Sequence, residues 1–272
     1  MKLYYYSRER NFGDAVNPYI LENIFGKKCV SASPSDADLF MIGSILGKAL
    51  VKRKKIFTRI QMAFKNPLTI WSSGFINDHI FGKCMARNLN VCALRGVLSL
   101  RLLEKVSGKK FNPVLGDGGL LISNLFREYP AKKYEVGIIP HYVDENLPEI
   151  AFLQKKIPGS VVISPLGDPL ECAKKIAECN TIISSSLHGL IAADSFGIPN
   201  CQMVISSNIA GGQFKYDDYY SVFNGKIQPL TCKDILINGI NADEIRSRYK
   251  ISADRISEIK GQLINSFPMH ME

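Results

Sequence analysis

The segment at 181–200, TIISSSLHGLIAADSFGIPN, combines the residue types best suited to holding an anion and moving a proton. A short apolar run is followed by three serines, then by Leu-His-Gly and a second apolar run. This pattern predicts a buried strand, a polar turn and a helix that Gly197 and Pro199 end. The first amides of a helix have no partner within it and carry partial positive charge. We therefore expect an anion site at this turn.

Three side chains of the turn are candidates for that chemistry. A hydroxyl of Ser185 or Ser186 is expected to cap the helix. His188 would lie in the first helical turn, where it could donate a hydrogen bond to a phosphate or transfer a proton. The alternative is a capped α/β turn that happens to contain a histidine.

Other polar residues follow predicted strands elsewhere in the chain. Arg95 keeps its charge, and its planar guanidinium fits a carboxylate or a phosphate, although a structural ion pair with an acid such as Asp117 is the alternative. His141 could transfer a proton or contact a sugar, or be an ordinary loop histidine. Asp14 and Asn17 could hold sugar hydroxyls, and Asp14 could remove a proton from one. For these two, turn and cap roles are the alternative.

The segment at 214–221, FKYDDYYS, places Lys215 among acidic and aromatic residues. Such a surface is typical of carbohydrate contacts, and it is also typical of subunit interfaces. His79 and His270 have no comparable setting, and we expect both at the surface.

The elements that must position these residues alternate between strand and helix along the chain. A polar, basic stretch at 126–133 divides them, which predicts domains at 1–126 and 134–272. The alternation predicts an α/β fold with two Rossmann-like domains whose sheets are open and mostly parallel. Ligands of such sheets bind beyond the carboxyl ends of the strands, so the candidates predict a cleft between the domains. The stretch at 52–66 is basic, and we expect it to be irregular.

The overall composition limits the possible classes of partner. A net charge of +9, from 34 basic and 25 acidic residues, suits an anionic substrate, an anionic membrane surface or nucleic acid. The basic runs at 52–55, 132–133 and 155–156 lack interleaved aromatic residues, so we do not expect a nucleic-acid module. The seven cysteines show no CxxC spacing, which indicates reduced thiols, and the sequence requires no metal. Without a leader or a long apolar run, we expect a cytoplasmic protein.

Eight blocks of sequence together resemble the polysaccharide pyruvyltransferase family, and they cover nearly the whole chain. Three of them look most like the short exopolysaccharide members: NFGD near the start, the SLHG block and FKYDDYYS. The blocks are NFGDAVNPYI, IWSSGF at 70–75, LRGVLSLRLLEK at 94–105, LGDGGLL at 115–121, VGIIPHYVD at 136–144, VVISPLGDP at 161–169, SSSLHGLIAADSFGIPN at 184–200 and FKYDDYYS.

This resemblance implies a GT-B-like fold, with the acceptor side in the N-terminal domain and the donor side in the C-terminal domain. It implies phosphoenolpyruvate as donor, no cofactor, and an acceptor hexose that becomes a cyclic pyruvate ketal, with galactose and a 4,6 linkage favoured. The acceptor would be a polyprenyl-diphosphate-linked oligosaccharide at the cytoplasmic face of the inner membrane. A basic surface would favour a peripheral contact there. A homo-oligomer is compatible with this.

The resemblance also implies roles for single residues. Arg95 would bind the phosphoenolpyruvate anion, and Leu187 and His188 would lie at the donor site. Our hypothesis for proton transfer is His188 or His141 as the acid and Asp14 or Asp117 as the base. The other expected substrate contacts are Ser185, Ser186, Gly189, Asn11, Gly13, Asn17, Gly74 and Lys215.

Two positions depart from the pattern of many members. Ser186 stands where many have Arg, so that Lys215 or backbone amides must supply the charge, and Gly96 stands where many have Asp. The rival interpretations are a GT-B nucleotide-sugar glycosyltransferase and a non-catalytic protein that binds anions or nucleic acid.

Overall fold

The computed structural model describes residues 1–6, 11–85, 87–223 and 228–271. Within these ranges the strands, in chain order, are β1 (Lys2–Tyr4), β2 (Val30–Ser31), β3 (Leu39–Phe40), β4 (Leu50–Lys52), β5 (Leu68–Ile70), β6 (Lys83–Met85), β7 (Leu89–Val91), β8 (Ala93–Leu94), β9 (Val114–Leu115), β10 (Tyr134–Ile139), β11 (Ser160–Val162), β12 (Cys179–Ser184), β13 (Asn200–Val204) and β14 (Leu230–Thr231).

The α-helices of the same ranges are α1 (Phe12–Ala15), α2 (Asn17–Phe25), α3 (Ile56–Ala63), α4 (Val97–Ser107), α5 (Pro148–Lys156), α6 (Pro169–Ala177), α7 (Leu187–Ser195), α8 (Phe214–Tyr220), α9 (Cys232–Asn238), α10 (Ala242–Arg248) and α11 (Ala253–Ser266). Short 3₁₀ helices are Leu46–Ala49, Gly118–Leu125 and Tyr142–Asp144. None of the described helices is both long and apolar enough to span a bilayer.

Two five-stranded sheets lie on either side of the 126–133 stretch. The N-terminal sheet has the order β2-β1-β3-β5-β7 and the C-terminal sheet the order β11-β10-β12-β13-β14. Every pairing within both sheets is parallel. In each sheet the chain adds its second strand on one side of the first and its later strands on the other. The prediction of an α/β fold with parallel sheets is therefore confirmed.

The two halves of the chain share an apolar core. One cluster of buried side chains joins Phe12 and Trp71, which precede the 126–133 stretch, to Leu190 and Leu263, which follow it. The indole N–H of Trp71 donates to the carbonyl of Leu263 in α11, at 3.2 Å. Side chains of the second half therefore pack directly on the first half. The GT-B-like division into domains at 1–126 and 134–272 stays a prediction.

Helix α7 is buried at all nine of its residues, including the polar His188, Asp194 and Ser195. It packs on the 3₁₀ helix Gly118–Leu125 of the N-terminal half. The hydroxyl of Ser195 donates to the carbonyl of Leu120 at 2.6 Å and accepts from the amide of Ser123 at 2.9 Å. These bonds fix the position of α7, and with it the position of His188.

The expected hydroxyl cap of α7 is wrong. Ser186 is the N-cap residue, but its side chain makes no cap hydrogen bond. The hydroxyl of Ser184 accepts from the Ser186 amide at 3.0 Å, and that of Ser185 accepts from the His141 amide at 2.8 Å. Ser184 is thus engaged within the turn and Ser185 with the His141 loop, and the first amides of α7 have no side-chain cap.

One other local prediction differs from the structure. The stretch at 52–66 is not irregular, because it contains α3. Further along the chain, Asp117 caps the 3₁₀ helix Gly118–Leu125 by accepting from the Gly119 amide at 2.9 Å. Helix α5 begins at Pro148, a residue favoured at the first helical position.

Candidate active site

A cavity of about 610 Å³ lies between the two halves, within the size range of small-ligand sites. The N-terminal half contributes Tyr6, Asn11, Asp14, Ser44, Ile45, Gly47, Lys48, Leu50, Phe75, Ile76, Asn77, His79, Ile80 and Lys83 to its walls. The C-terminal half contributes His141, Tyr142, Ser186, Leu187, His188, Ala210 and Lys215.

The strand order of the two sheets explains why these residues meet. Tyr6 and Ser44 follow β1 and β3, and His141 and Ser186 follow β10 and β12. In each sheet, these are the adjacent strands between which the direction of strand addition reverses. A crevice opens beyond the carboxyl ends of such strands, and ligands of parallel sheets bind there. Both crevices contribute to the same cavity.

His188 lies on the wall of the cavity at the start of α7. It is buried, and its Nε2 has no hydrogen-bond partner among the described residues. Burial, followed by the charges of Lys215 and Arg95, lowers the pKa of His188 to about 3. A Cβ at Gly13 would overlap the imidazole, so the absence of a side chain there permits the close approach of α1. The imidazole of the ligand-free protein is therefore neutral and held in one place.

Asp14 contributes a buried carboxyl group to the part of the cavity wall that the N-terminal half forms. Its Oδ2 accepts from Nδ2 of Asn11 at 2.9 Å. Burial raises the pKa of Asp14 to about 7, against the opposing effects of the Asn11 bond and of the Lys215 charge. At neutral pH this group therefore exists in both protonation states, as a proton-transferring group requires.

Lys215 and His141 are two further titratable groups that face the cavity. Lys215 is 7% exposed, and burial lowers its pKa to about 8, with Arg95 acting in the same direction and Asp14 against it. Burial also lowers the pKa of His141 to about 4, followed by the charge of Lys215. The cavity thus disfavours further positive charge, and it would be stabilised by an anion.

Arg95 lies behind the wall of the cavity rather than on it, with 1% of its surface exposed. Its Nε donates to Asp218 at 2.9 Å and its Nη1 to the hydroxyl of Ser44 at 2.7 Å, while Nη2 donates to the carbonyl of Phe75. The sequence left open a structural ion pair, and the structure contains one, with Asp218 rather than Asp117 as the acid. Ser44 lies between the guanidinium and the cavity.

Asp218 packs against Gly96, one of the two positions named above as departures from the family pattern. A Cβ at Gly96 would overlap the backbone carbonyl of Asp218, so α8 packs directly on this glycine. The Asp218 carboxylate accepts from the amide and the hydroxyl of Ser99 at 2.8 and 2.6 Å, besides its bond to Arg95. Asp218 of α8 therefore places a buried carboxylate beside Gly96.

The remaining predicted site residues support the cavity without lining it. Asn17 bridges α1 and β3 by donating to the carbonyls of Asp14 and Ile42. Asp117 is fully buried, and burial raises its pKa to about 6. Glycines at three positions allow close packing: Gly13 against His188, Gly74 against the Arg95 guanidinium, and Gly189 against Ser184 and Ile139. Ser185 holds the His141 loop.

Of the fourteen predicted residues, seven line the cavity: Asn11, Asp14, His141, Ser186, Leu187, His188 and Lys215. Sequence reasoning missed Tyr6, Ser44 and Tyr142, whose position directly after strands was the available signal. It also placed His79 only at the surface. His79 is exposed, as expected, but it lies on the rim of the cavity.

Comparison with known proteins agrees with this arrangement. The family model described as polysaccharide pyruvyl transferase matches residues 3–207. The chain is 26% identical over 229 residues to the uncharacterized protein L143 of Acanthamoeba polyphaga mimivirus, covering 81% of this chain and 74% of that protein. It is 25% identical over 237 residues to the succinoglycan biosynthesis protein ExoV of Rhizobium meliloti (strain 1021), covering 84% of this chain and 67% of that one. Since the family match spans most of the chain and includes most of the cavity residues, the chain belongs to the polysaccharide pyruvyl transferase family and is a pyruvyltransferase.

Proposed function

We propose that the protein transfers pyruvate from phosphoenolpyruvate to two hydroxyls of a hexose in a polysaccharide repeat unit, forming a cyclic ketal. One observation supports the choice of donor. The uncapped start of α7, Lys215 and the nearby Arg95 together make the buried cavity electrically positive. Phosphoenolpyruvate carries a phosphate and a carboxylate, and both would be stabilised there. A galactose acceptor and a 4,6 linkage remain the favoured choices from the family resemblance.

The donor would bind with its phosphate at the amides that begin α7 and its carboxylate near Lys215. In this arrangement, backbone amides and Lys215 supply the positive charge that Ser186 does not carry. An anion within a few ångströms favours the protonated form of each neighbouring group. Bound phosphoenolpyruvate would therefore raise the pKa of Lys215, His188 and Asp14 above their ligand-free values.

The reaction then needs one proton at carbon and the removal of two from oxygen. Protonation of the donor's methylene carbon makes C2 electrophilic, and a sugar hydroxyl adds to it. The bond between C2 and the phosphate oxygen breaks, and the second hydroxyl closes the ring. Of the two hydroxyl protons, one restores the acid and the other leaves with phosphate.

The protonation states of the ligand-free cavity favour Asp14 as the acid and a neutral imidazole, His188 or His141, as the base. This is the reverse of the assignment that the sequence suggested. Asp14 carries its proton near pH 7, whereas both imidazoles are neutral and can accept one. Asp117 does not line the cavity, so we give it no direct role.

The deciding experiment is incubation with phosphoenolpyruvate and a panel of lipid-linked and aryl galactosides and glucosides, followed by mass spectrometry. We expect the acceptor to gain the mass of one pyruvic acid less one water, together with release of phosphate. A parallel reaction with UDP- and GDP-sugars tests the rival glycosyltransferase. Hexose transfer from those donors, without ketal formation from phosphoenolpyruvate, would contradict the proposal.

A further inference from the structure

Helix α3 is a surface helix with no buried residue. Phe57 is 85% exposed and Phe64, which ends the helix, is 87% exposed, with Ile56 and Ile60 more than half exposed. Phe81, in the turn before β6, is fully exposed. These five side chains, which we call the α3 face, place several large apolar groups in water.

The orientation of α3 is the opposite of that expected for a surface helix. At 100° per residue, Ile56, Phe57, Ile60 and Phe64 fall on one side, and Thr58 and Met62 on the other. Thr58 and Met62 are the partly buried residues, so the polar threonine and one methionine face the protein while the apolar stripe faces outward. A helix of a water-soluble protein normally turns its apolar stripe to the core. The outward stripe therefore indicates a partner that covers it.

Positive charge surrounds the same face. Lys52, Arg53, Lys54 and Lys55 lead directly into α3, and all four are exposed. In the part of the chain that the structure describes, no ion pair uses any of these four cations. Exposed aromatic and aliphatic side chains beside a basic run are typical of segments that lie in the interface of an anionic bilayer.

The α3 face lies next to the mouth of the cavity. Strand β4 leads into the basic run and α3, and its antiparallel partner β6 follows Phe81. Leu50 of β4 and Lys83 of β6 line the cavity. A surface that met the α3 face would therefore also lie beside the entrance to the active site.

We infer that the α3 face is a membrane-docking surface for anionic phospholipid bilayers. A second copy of the chain is the less favourable occupant, because a twofold interface there would bring each basic run close to its own copy. The docking itself does not depend on the reaction. Its consequence, delivery of a lipid-linked acceptor to the cavity, rests on the proposed function.

Vesicle flotation of the full chain tests this inference without any substrate. We expect the protein to float with vesicles of 70% phosphatidylcholine and 30% phosphatidylglycerol, chosen here as roughly the anionic content that attracts polybasic segments, and not with phosphatidylcholine alone. The variant F57S/F64S/F81S and the variant K52E/K54E/K55E should each bind these vesicles at least about tenfold more weakly than the wild type. The matched controls are F152S and K155E/K156E on α5, which carry an exposed phenylalanine and two exposed lysines away from this face.

Several outcomes would overturn the inference. These are no binding of the wild type to anionic vesicles, equal losses in the α5 controls, or a loss that follows the lysines but not the phenylalanines, which indicates a general polyanion surface. Light scattering that shows a dimer in the wild type and a monomer in F57S/F64S/F81S would assign the face to a second copy. Since all substituted residues are exposed, unchanged thermal unfolding confirms that each variant is folded.

Activity assays separate this inference from the proposed function. Docking variants should keep wild-type turnover on a soluble aryl glycoside and lose it on a lipid-linked acceptor in anionic vesicles. Absence of turnover on both acceptors in the wild type would contradict the proposed function, while the flotation result would stand.

Discussion

Helices α3 and α7 are of similar length, and each follows a run of polar residues, yet their environments are opposite. All nine residues of α7 are buried, whereas none of the eight residues of α3 is. Burial shifts the pKa of His188 strongly, and the same low-dielectric setting strengthens its interaction with Lys215. The charges before α3 remain in water, where single interactions are weak but additive against a charged surface. One positive region is therefore suited to a small anion and the other to an extended one.

Substitution of the buried groups beside α7 should give the largest effect. If it does not, the contrast drawn between α7 and α3 is wrong. His188→Ala and Asp14→Asn should each lower turnover about 100-fold or more, because each removes a group to which we assign proton transfer in the proposed function. Steady-state assays with phosphoenolpyruvate and an aryl glycoside provide the measurement. His79→Ala is the matched control, since His79 lies on the exposed rim and should matter little. A near-normal rate for either variant rules out its assigned role.

Lys215→Met should weaken donor binding. A charge-assisted hydrogen bond is worth roughly 1.5–3 kcal/mol, which corresponds to about a 10- to 100-fold rise in the KM for phosphoenolpyruvate. Because the cationic form binds, kcat/KM should fall as the pH rises through about 8, the pKa of Lys215, and this part of the falling limb should vanish in the variant. Lys155→Met on α5 should leave both quantities unchanged. An unaltered KM in Lys215→Met would remove the lysine from the donor site.

Gly96→Ala tests whether the wall behind the cavity is as tight as described. The added Cβ would overlap the Asp218 carbonyl, so α8 must shift, at a cost of about 1–3 kcal/mol in the free energy of unfolding. Gly261→Ala in α11 is the matched control. It meets no neighbour within 4 Å and should stabilise the protein by up to about 1 kcal/mol, because alanine favours the helix. Denaturant unfolding measures both, and a neutral Gly96→Ala would contradict the packing.

Asp14→Asn should also stabilise the protein at alkaline pH while it abolishes turnover. The pKa of this carboxyl rises from 3.8 to about 7 on folding, so the folded state retains a proton that the unfolded state releases. Stability therefore falls as the pH rises between these values, and the asparagine avoids that loss. We expect a Tm roughly 2–4 °C above wild type at pH 8, the shift that about 1 kcal/mol produces, and little difference at pH 4. Thermal unfolding at the two pH values is the measurement.

The smallest effect is expected for a substitution in the exposed helix α3. Phe57→Ser should change the free energy of unfolding by less than about 0.5 kcal/mol and leave turnover on a soluble acceptor intact, because the side chain is 85% exposed. A clear destabilisation would show that α3 belongs to the core after all.

The sequence predicted those features that depend on neighbouring residues. The strand, turn and helix at 181–200 were evident from apolar periodicity and from the glycine and proline that follow. Alternation of elements was enough to predict two parallel sheets. Each of these signals lies within about twenty residues of chain.

Features that depend on distant partners could not be predicted. Arg95 and Asp218 are 123 residues apart, so the sequence could offer either a ligand or an ion pair for the guanidinium without deciding between them. The direction of protonation at Asp14 and His188 follows from burial, which only the packed structure reveals. The pattern of α3 contains an apolar stripe, but nothing local determines that it points outward.

The contact between Gly13 and His188 has a consequence for how the protein could be divided. His188 follows β12 of the C-terminal sheet. Gly13, whose backbone confines the His188 imidazole, follows β1 of the N-terminal sheet. Fragments that end and begin in the 126–133 stretch would each lack half of this arrangement, and they should regain activity only on reassociation. A split-protein complementation pair cut there would thus report, through recovered pyruvyl transfer, on the pairing of the two sheets itself.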